Sequence, residues 1–303
     1  MKQLALKIDV DTYHGTLIGV PALVEVLQRF GAHATFLFSL GPDHTGRAIK
    51  RVFRPGFMKK VSRTSVVEHY GIKTLLYGTL LPGPDIGKHA GNIMRQVRDA
   101  GFEVGIHTYD HIAWQDYVAH KDADWTQKQM RLACESFEQV FGEPARTHGA
   151  AGWQMNRHAY RFEQARHYPY CSDTRGTHPF IPVYEGEIIA CPQLPTTLPT
   201  LDELIGVGDL TTDNVAQHLL QLTEAEPAQG HVYTLHAELE GRKLLPVFEA
   251  LLTGWQAQGY QLVSTLQLFE SLDLSTLPYH KVLMGEIEGR SGTLALQGPA
   301  FLA

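Results

Sequence analysis

The sequence is short of several things, and each shortage excludes something. Cysteine is scarce: Cys134, Cys171 and Cys191 are odd in number and form no C-x-x-C pair. This points to a reducing compartment and away from a disulfide framework. No run of about 18 apolar residues occurs, so no segment reads as a membrane span. Lys7, Asp9 and Asp11 interrupt the N-terminal apolar stretch, so no signal peptide is visible. Positive charge is not in excess: the net charge is -6, which argues against a general nucleic-acid binder. Three common signatures are also missing. There is no G-x-S-x-G for a serine hydrolase, Gly83 to His89 lacks the spacing and Ser/Thr of a P-loop, and Gly206-Val207-Gly208 lacks a third glycine.

What is present is a globular α/β pattern. With 44% hydrophobic and 19% charged residues, the chain of 303 can bury a large core. Leu4 to Asp11 reads as a buried strand ending in two carboxylates. Pro21 opens a helix that runs to Arg29, and His33 to Leu40 is a second strand. Residues 41–87 are interrupted by Pro and Gly and read as an insertion. The repeat resumes with a helix over 88–100 and a strand over 102–107. A long helix follows over 124–141, a strand over 145–150, a helix over 156–167 and a short strand over 168–173. Ile188-Ile189-Ala190 suggests another strand. The last elements are a helix over 211–225, a strand over 231–236, a helix over 244–258 and a strand over 261–264. Alternating strand and helix implies parallel strands, in an open sheet or a barrel, with ligands bound at the strands' carboxyl ends. Residues 1–270 are expected to form the domain. Residues 271–303 form a tail whose two apolar runs, near Val282 and Leu294, suit a hairpin or a partner-binding extension.

The candidate chemistry lies at strand ends. Asp9 and Asp11, two apart, share one face of the first strand, and two carboxylates so placed need a cation or a capping role. His107 and His111, four apart, read as one turn presenting two imidazoles to one metal ion. A strand-end Asp with these two histidines makes a two-His, one-carboxylate set suited to Zn²⁺, Fe²⁺ or related ions. His236 ends another strand. Asp173 could orient it, and Arg146 could pair with a carboxylate.

The stretches Ile8-Asp9-Val10-Asp11, His107-Thr108-Tyr109-Asp110-His111, Tyr170-Cys171-Ser172-Asp173 and Thr234-Leu235-His236 occur in the order of the motifs of the NodB-type polysaccharide deacetylase superfamily, which the chain resembles over roughly residues 2–265. The resemblance implies a distorted (β/α)₇ barrel with the basic insertion after its second strand. It implies that Asp11, His107 and His111 hold a divalent metal ion (Zn, Co, Mn or similar). Asp9 resembles the general base, His236 the general acid and Asp173 the residue that orients the acid. Arg146 stands where the third motif has an arginine, although His148 replaces the expected proline.

DVDTYHGT, GIHTYDH, HGAAGWQMN, CSDTRGTHPF and LHAELEG resemble one branch of the superfamily. Its members deformylate undecaprenyl-phosphate-linked 4-deoxy-4-formamido-L-arabinose, a step of lipid A modification that confers polymyxin resistance. The mechanism implied is attack of an activated water on the formyl carbon, with Asp9 taking the proton. A backbone N–H near Tyr109 would help hold the oxyanion, and His236 would protonate the departing nitrogen. A soluble hydrolase of sugar or ureide amides is the alternative, and a non-catalytic metal-binding or membrane adaptor is disfavoured by the complete residue set.

Within the insertion, Arg47, Lys50, Arg51, Arg54, Lys59, Lys60 and Arg63 are seven cations with no acid among them, interleaved with Ile49, Val52, Phe53, Phe57 and Val61. Such a stretch suits an anionic membrane surface, and Leu75-Leu76-Tyr77 with Leu80-Leu81 could extend it. The expected partners are therefore a lipid-linked sugar and the cytoplasmic face of the bacterial inner membrane, with the protein bound peripherally, and no nucleic acid.

Overall fold

The computed structural model describes residues 2–48, 72–225, 227 and 229–301. Strand β1 (Gln3–Val10) lies at the centre and is buried along nearly its whole length. It pairs in parallel with β2 (Thr35–Ser39) on one edge and β6 (His231–His236) on the other, while β7 (Gln261–Val263) pairs with its first residues. β3 (Glu103–Thr108) extends the sheet beyond β2.

From β3 the ring closes through three short extended pieces. Residues 147–149 bond to Ile106 through Ile106 N–H to Thr147 O and Gly149 N–H to Ile106 O. Residues 171–174 follow, with Ser172 N–H on His148 O. Residues 193–197 come next, bonded through Leu194 N–H to Cys171 O and Thr196 N–H to Thr174 O, and Thr197 N–H reaches Val232 O of β6. These pieces with β1, β2, β3 and β6 make the distorted seven-stave barrel. The distortion has a sequence cause, because Pro195 removes a ladder donor from the 193–197 stave and Pro192 immediately precedes it. The strands expected over 145–150 and 168–173 are therefore reduced to isolated bridges.

The outer helices obey their caps. Helix α1 (Val20–Phe30) starts at Pro21 and stops at left-handed Gly31. Helix α2 (Ile86–Asp99) is capped by Asp85 and begins two residues before the expected position. Asp110 caps α3 (His111–Tyr117), Asp122 caps α4 (Ala123–Phe141) and Asn156 caps α5 (Arg157–Ala165). The expected helix over 211–225 is shorter, Val215–Leu222, and α7 is Leu245–Ala257.

The last part of the chain forms a hairpin. β8 (Tyr279–Gly285) and β9 (Leu294–Ala300) are antiparallel, and β8 also pairs with β4 (Ile181–Tyr184), which turns back into β5 (Glu187–Ile188). The hairpin is bonded to the barrel as well, through Arg175 N–H to Ala295 O and Gln297 N–H to Arg175 O.

Of the basic stretch over 47–63, all but Arg47 and Ala48 lies outside the described residues. Beyond it a short helix covers Ile72–Leu76. Tyr77 turns inward and is buried, so it adds nothing to an outer apolar face, whereas Leu80 is 80% exposed and Leu81 is also exposed. Among the described residues no helix is long and apolar enough to cross a membrane.

Candidate active site

The carboxyl ends of β1, β3 and β6 meet at one place, because parallel strands all point their ends to the same side. β1 delivers Lys7, Asp9 and Asp11 on one face, alternate residues of an otherwise apolar strand. In the ladder Asp9 stands directly opposite His236 of β6.

His107 and His111 do converge, but not as one helical turn. His107 belongs to β3, and His111 is the first residue of α3. The chain turns between them at Asp110, whose Oδ1 accepts the Ala113 N–H as helix cap, while Oδ2 holds Nδ1 of His44 at 2.7 Å. The two rings lie 5.3 Å apart between centroids.

His107 Nδ1 donates to the Gly149 carbonyl at 2.6 Å, which leaves the lone pair on Nε2. That Nε2 is 3.2 Å from Asp11 Oδ1, and His111 Nε2 is 3.4 Å from the same oxygen. Asp11 Oδ1 is buried and receives no hydrogen bond. Donor atoms of Asp11, His107 and His111 thus lie within 4.8 Å of one another. Carboxylate and imidazole donor atoms converging on one point are what a divalent cation satisfies, so this set fits a metal ion. Burial opposes charge on Asp11, but His111 and then His107 outweigh it and hold its carboxyl well below the usual range.

Two further carboxylates fasten the strand ends. Glu238 accepts from Asp11 N–H at 3.1 Å, Thr12 N–H at 2.9 Å and the Thr12 hydroxyl at 2.8 Å. Burial, then the charge of Asp11, push its pKa up to about 8. Glu240 accepts the backbone N–H of His236 at 2.9 Å. Gly15 is required beside them: a Cβ there would lie 1.9 Å from Glu238 Oε1.

Asp9 is buried, and its Oδ1 has no hydrogen bond. Its nearest cation is Lys7 Nζ at 3.8 Å, fully buried and donating to Ser172 O at 2.8 Å. Burial pushes the Lys7 pKa down, with Asp9 and then Asp173 opposing. His236 Nδ1 is buried without a hydrogen-bond partner. Burial disfavours its protonation, but Asp202, then Asp11, Glu240 and Asp9, prevail and raise its pKa.

Two residues singled out from sequence stand elsewhere. Asp173 is engaged by His148 Nδ1 at 2.8 Å, the Ala150 N–H at 2.8 Å and Gln193 Nε2 at 2.9 Å, and none of these bonds goes to His236. Arg146 is exposed, and Lys7 is the cation beside Asp9. The signal for Lys7 was in the sequence, since K-x-D-x-D puts it on the face of both aspartates. Asp202 left no such signal, because it lies on the short helix Leu201–Leu204, far along the chain.

No family model matches the chain. It is 36% identical over 295 residues to a protein of Shewanella sediminis described as the probable 4-deoxy-4-formamido-L-arabinose-phosphoundecaprenol deformylase ArnD, covering 97% of this chain and 94% of the relative. This chain belongs to the ArnD family. A second ArnD relative, from Wigglesworthia glossinidia brevipalpis and described in the same words, is 30% identical, covering 93% of this chain and 98% of the relative. Among solved structures, one assigned as a polysaccharide deacetylase of Mycobacterium smegmatis superposes with a TM-score of 0.62 at 17% identity, covering 94% of this chain and 96% of the other. This chain thus shares the α/β fold of that deacetylase structure.

Proposed function

We propose that this enzyme hydrolyses the formamide of 4-deoxy-4-formamido-L-arabinose carried on undecaprenyl phosphate, releasing formate and the free amino sugar. The observation that carries the reading is the facing of Asp9 and His236 across paired strands, immediately beside the Asp11, His107 and His111 donors, in a member of the ArnD family. The metal ligands we assign are Asp11, His107 and His111. Zn, Co, Mn or a similar ion bound there supplies Lewis acidity and lowers the pKa of water toward about 7.

The chain's own residues do the rest. Asp9 accepts a proton from the attacking water at its unbonded Oδ1, beside Lys7 Nζ at 3.8 Å. The water oxygen adds to the formyl carbon, and the C–N bond then breaks. His236, whose proton is held by the surrounding carboxylates, transfers it to the departing nitrogen so that a neutral amine leaves.

A lipid-borne substrate requires access to a bilayer. We assign peripheral binding at the cytoplasmic face to the basic stretch over 47–63, with exposed Leu80, Leu81 and Ile18 as apolar contacts. Sedimentation with anionic liposomes that exceeds sedimentation with neutral ones, and that is lost when the cations are neutralised, is the expected result.

The main test is mass-spectrometric detection of formate loss from the lipid-linked sugar, abolished by a chelator and restored by metal. Faster turnover of water-soluble N-acyl sugars without lipid would overturn the substrate in favour of a soluble amide hydrolase.

A further inference from the structure

The C-terminal hairpin has no part in the chemistry above, yet its loop reaches the same wall of the barrel. Gly289, at φ +82°, lies against the short helix Leu201–Leu204, and a Cβ there would come within 2.3 Å of Glu203 O. The next residue, Arg290, has a side chain only 10% exposed. Its Nε donates to Glu203 Oε1 at 2.5 Å, and its guanidinium lies 3.8 Å from Asp202 Oδ2 and 4.3 Å from the centre of the Trp153 ring. Arg175 holds the same Glu203 oxygen and lies 5.0 Å over the same ring.

Trp153 connects this group to both reacting residues. Lys7, the cation beside Asp9, lies 5.3 Å from the ring centre. The indole N–H donates to Thr196, whose hydroxyl bonds Thr234, two residues before His236. Trp153 itself has a left-handed backbone, φ 53°, a costly conformation for a large residue that persists where its surroundings enforce it. Asp202 is held by Arg290 and by the Thr200 hydroxyl at 2.5 Å.

We propose that Arg290, carried in by the C-terminal hairpin, is a positioning residue of the active site: with Glu203 and Asp202 it braces Trp153, which lies against Lys7 and is bonded through Thr196 and Thr234 to the strand that carries His236. The hairpin is then part of the catalytic unit. The inference rests on the reading of Asp9 and His236 as base and acid.

The test pairs a kinetic readout with one that needs no substrate. Arg290→Met should lower kcat by about 10–100-fold, the cost of misplacing a reacting group, with KM and metal content near those of the wild type even though loss of the buried ion pair lowers the melting temperature, and Arg290→Lys should recover part of the loss. In NMR spectra of the metal-loaded enzyme, Arg290→Met should displace the Trp153 indole and His236 imidazole resonances. Unmoved Trp153 and His236 resonances in Arg290→Met overturn the proposal, as does an unchanged kcat. A wild type that fails to deformylate the lipid-linked sugar while these NMR shifts appear overturns the substrate reading and leaves the positioning role standing.

Discussion

Two groups of histidine and carboxylate stand in this barrel, and they are built for opposite ends. In Asp11, His107 and His111, as in His148, Glu163 and Asp173, candidate ligand atoms fall within 4.8 Å of one another. The difference is where the imidazole proton goes. His107 spends its Nδ1 proton on the Gly149 carbonyl, so a lone pair faces Asp11. His148 aims Nδ1 at both carboxylates, 2.8 Å from Glu163 and 2.8 Å from Asp173. Burial works against that proton, but Asp173 and then Glu163 outweigh it and push the His148 pKa up to about 10. The second group therefore carries its own cation, whereas the first calls for one from outside. Similar residue types at similar spacing do not by themselves make a metal site. The second bond of the histidine decides it.

The comparison can be broken most directly at the first group. His107→Ala should abolish metal binding in elemental analysis and reduce turnover at least ~10³-fold, because it removes both a ligand and the activated water. Asp9→Asn and His236→Ala should keep the metal and lose ~10²–10⁴-fold in kcat, the usual weight of a general base or acid. An active His236→Ala enzyme would remove the acid role.

At the second group the loss should be of stability instead. His148→Ala should keep its metal content but cost about 3–5 kcal/mol in urea unfolding, because buried carboxylates lose their counter-charge. The sign with pH follows. The folded-state pKa of His148 is about 10 against an ordinary 6.5, so its contribution is full below pH 6.5 and is lost as pH rises through 10. Burial, then Asp173, raise Glu163 from 4.5 to about 8, and its contribution likewise fades from pH 4.5 to 8. Stability should decline as pH climbs across this window, with a flatter slope in His148→Ala. The smallest effect is expected at exposed Arg146, where Ala should change stability by less than about 0.5 kcal/mol and leave turnover near the wild-type rate.

Legibility from sequence followed how local the cause was. Helices with a capping Asp or Asn and a terminal Gly were readable to within a few residues, as Asp122 and Gly142 show for α4. The β1 and β6 strands were legible because they are apolar runs ending in Asp and His. The staves at 147–149 and 171–174 were legible only as longer strands over 145–150 and 168–173, and the stave at 193–197 was not legible, because these pieces are held by single bridges contributed by distant segments. At the site, Asp9, Asp11, His107, His111 and His236 were found by type and spacing, and they lie together. Asp173 is held by His148 and Gln193, partners that chain order does not reveal.

The sequence by itself determined which side chains gather at the strand ends, since alternation along β1 and the position of a residue at a strand terminus are local properties. It also marked the polar residues that interrupt apolar strands, Lys7 among them. Only the tertiary structure decided what each of those groups faces. Whether an imidazole offers a proton or a lone pair depends on a carbonyl such as Gly149, 42 residues away. Whether Arg290 matters to the barrel depends on a hairpin loop reaching Glu203, 87 residues before it. Hydrogen bonds and buried charge depend on distance in space, and the fold alone sets those distances.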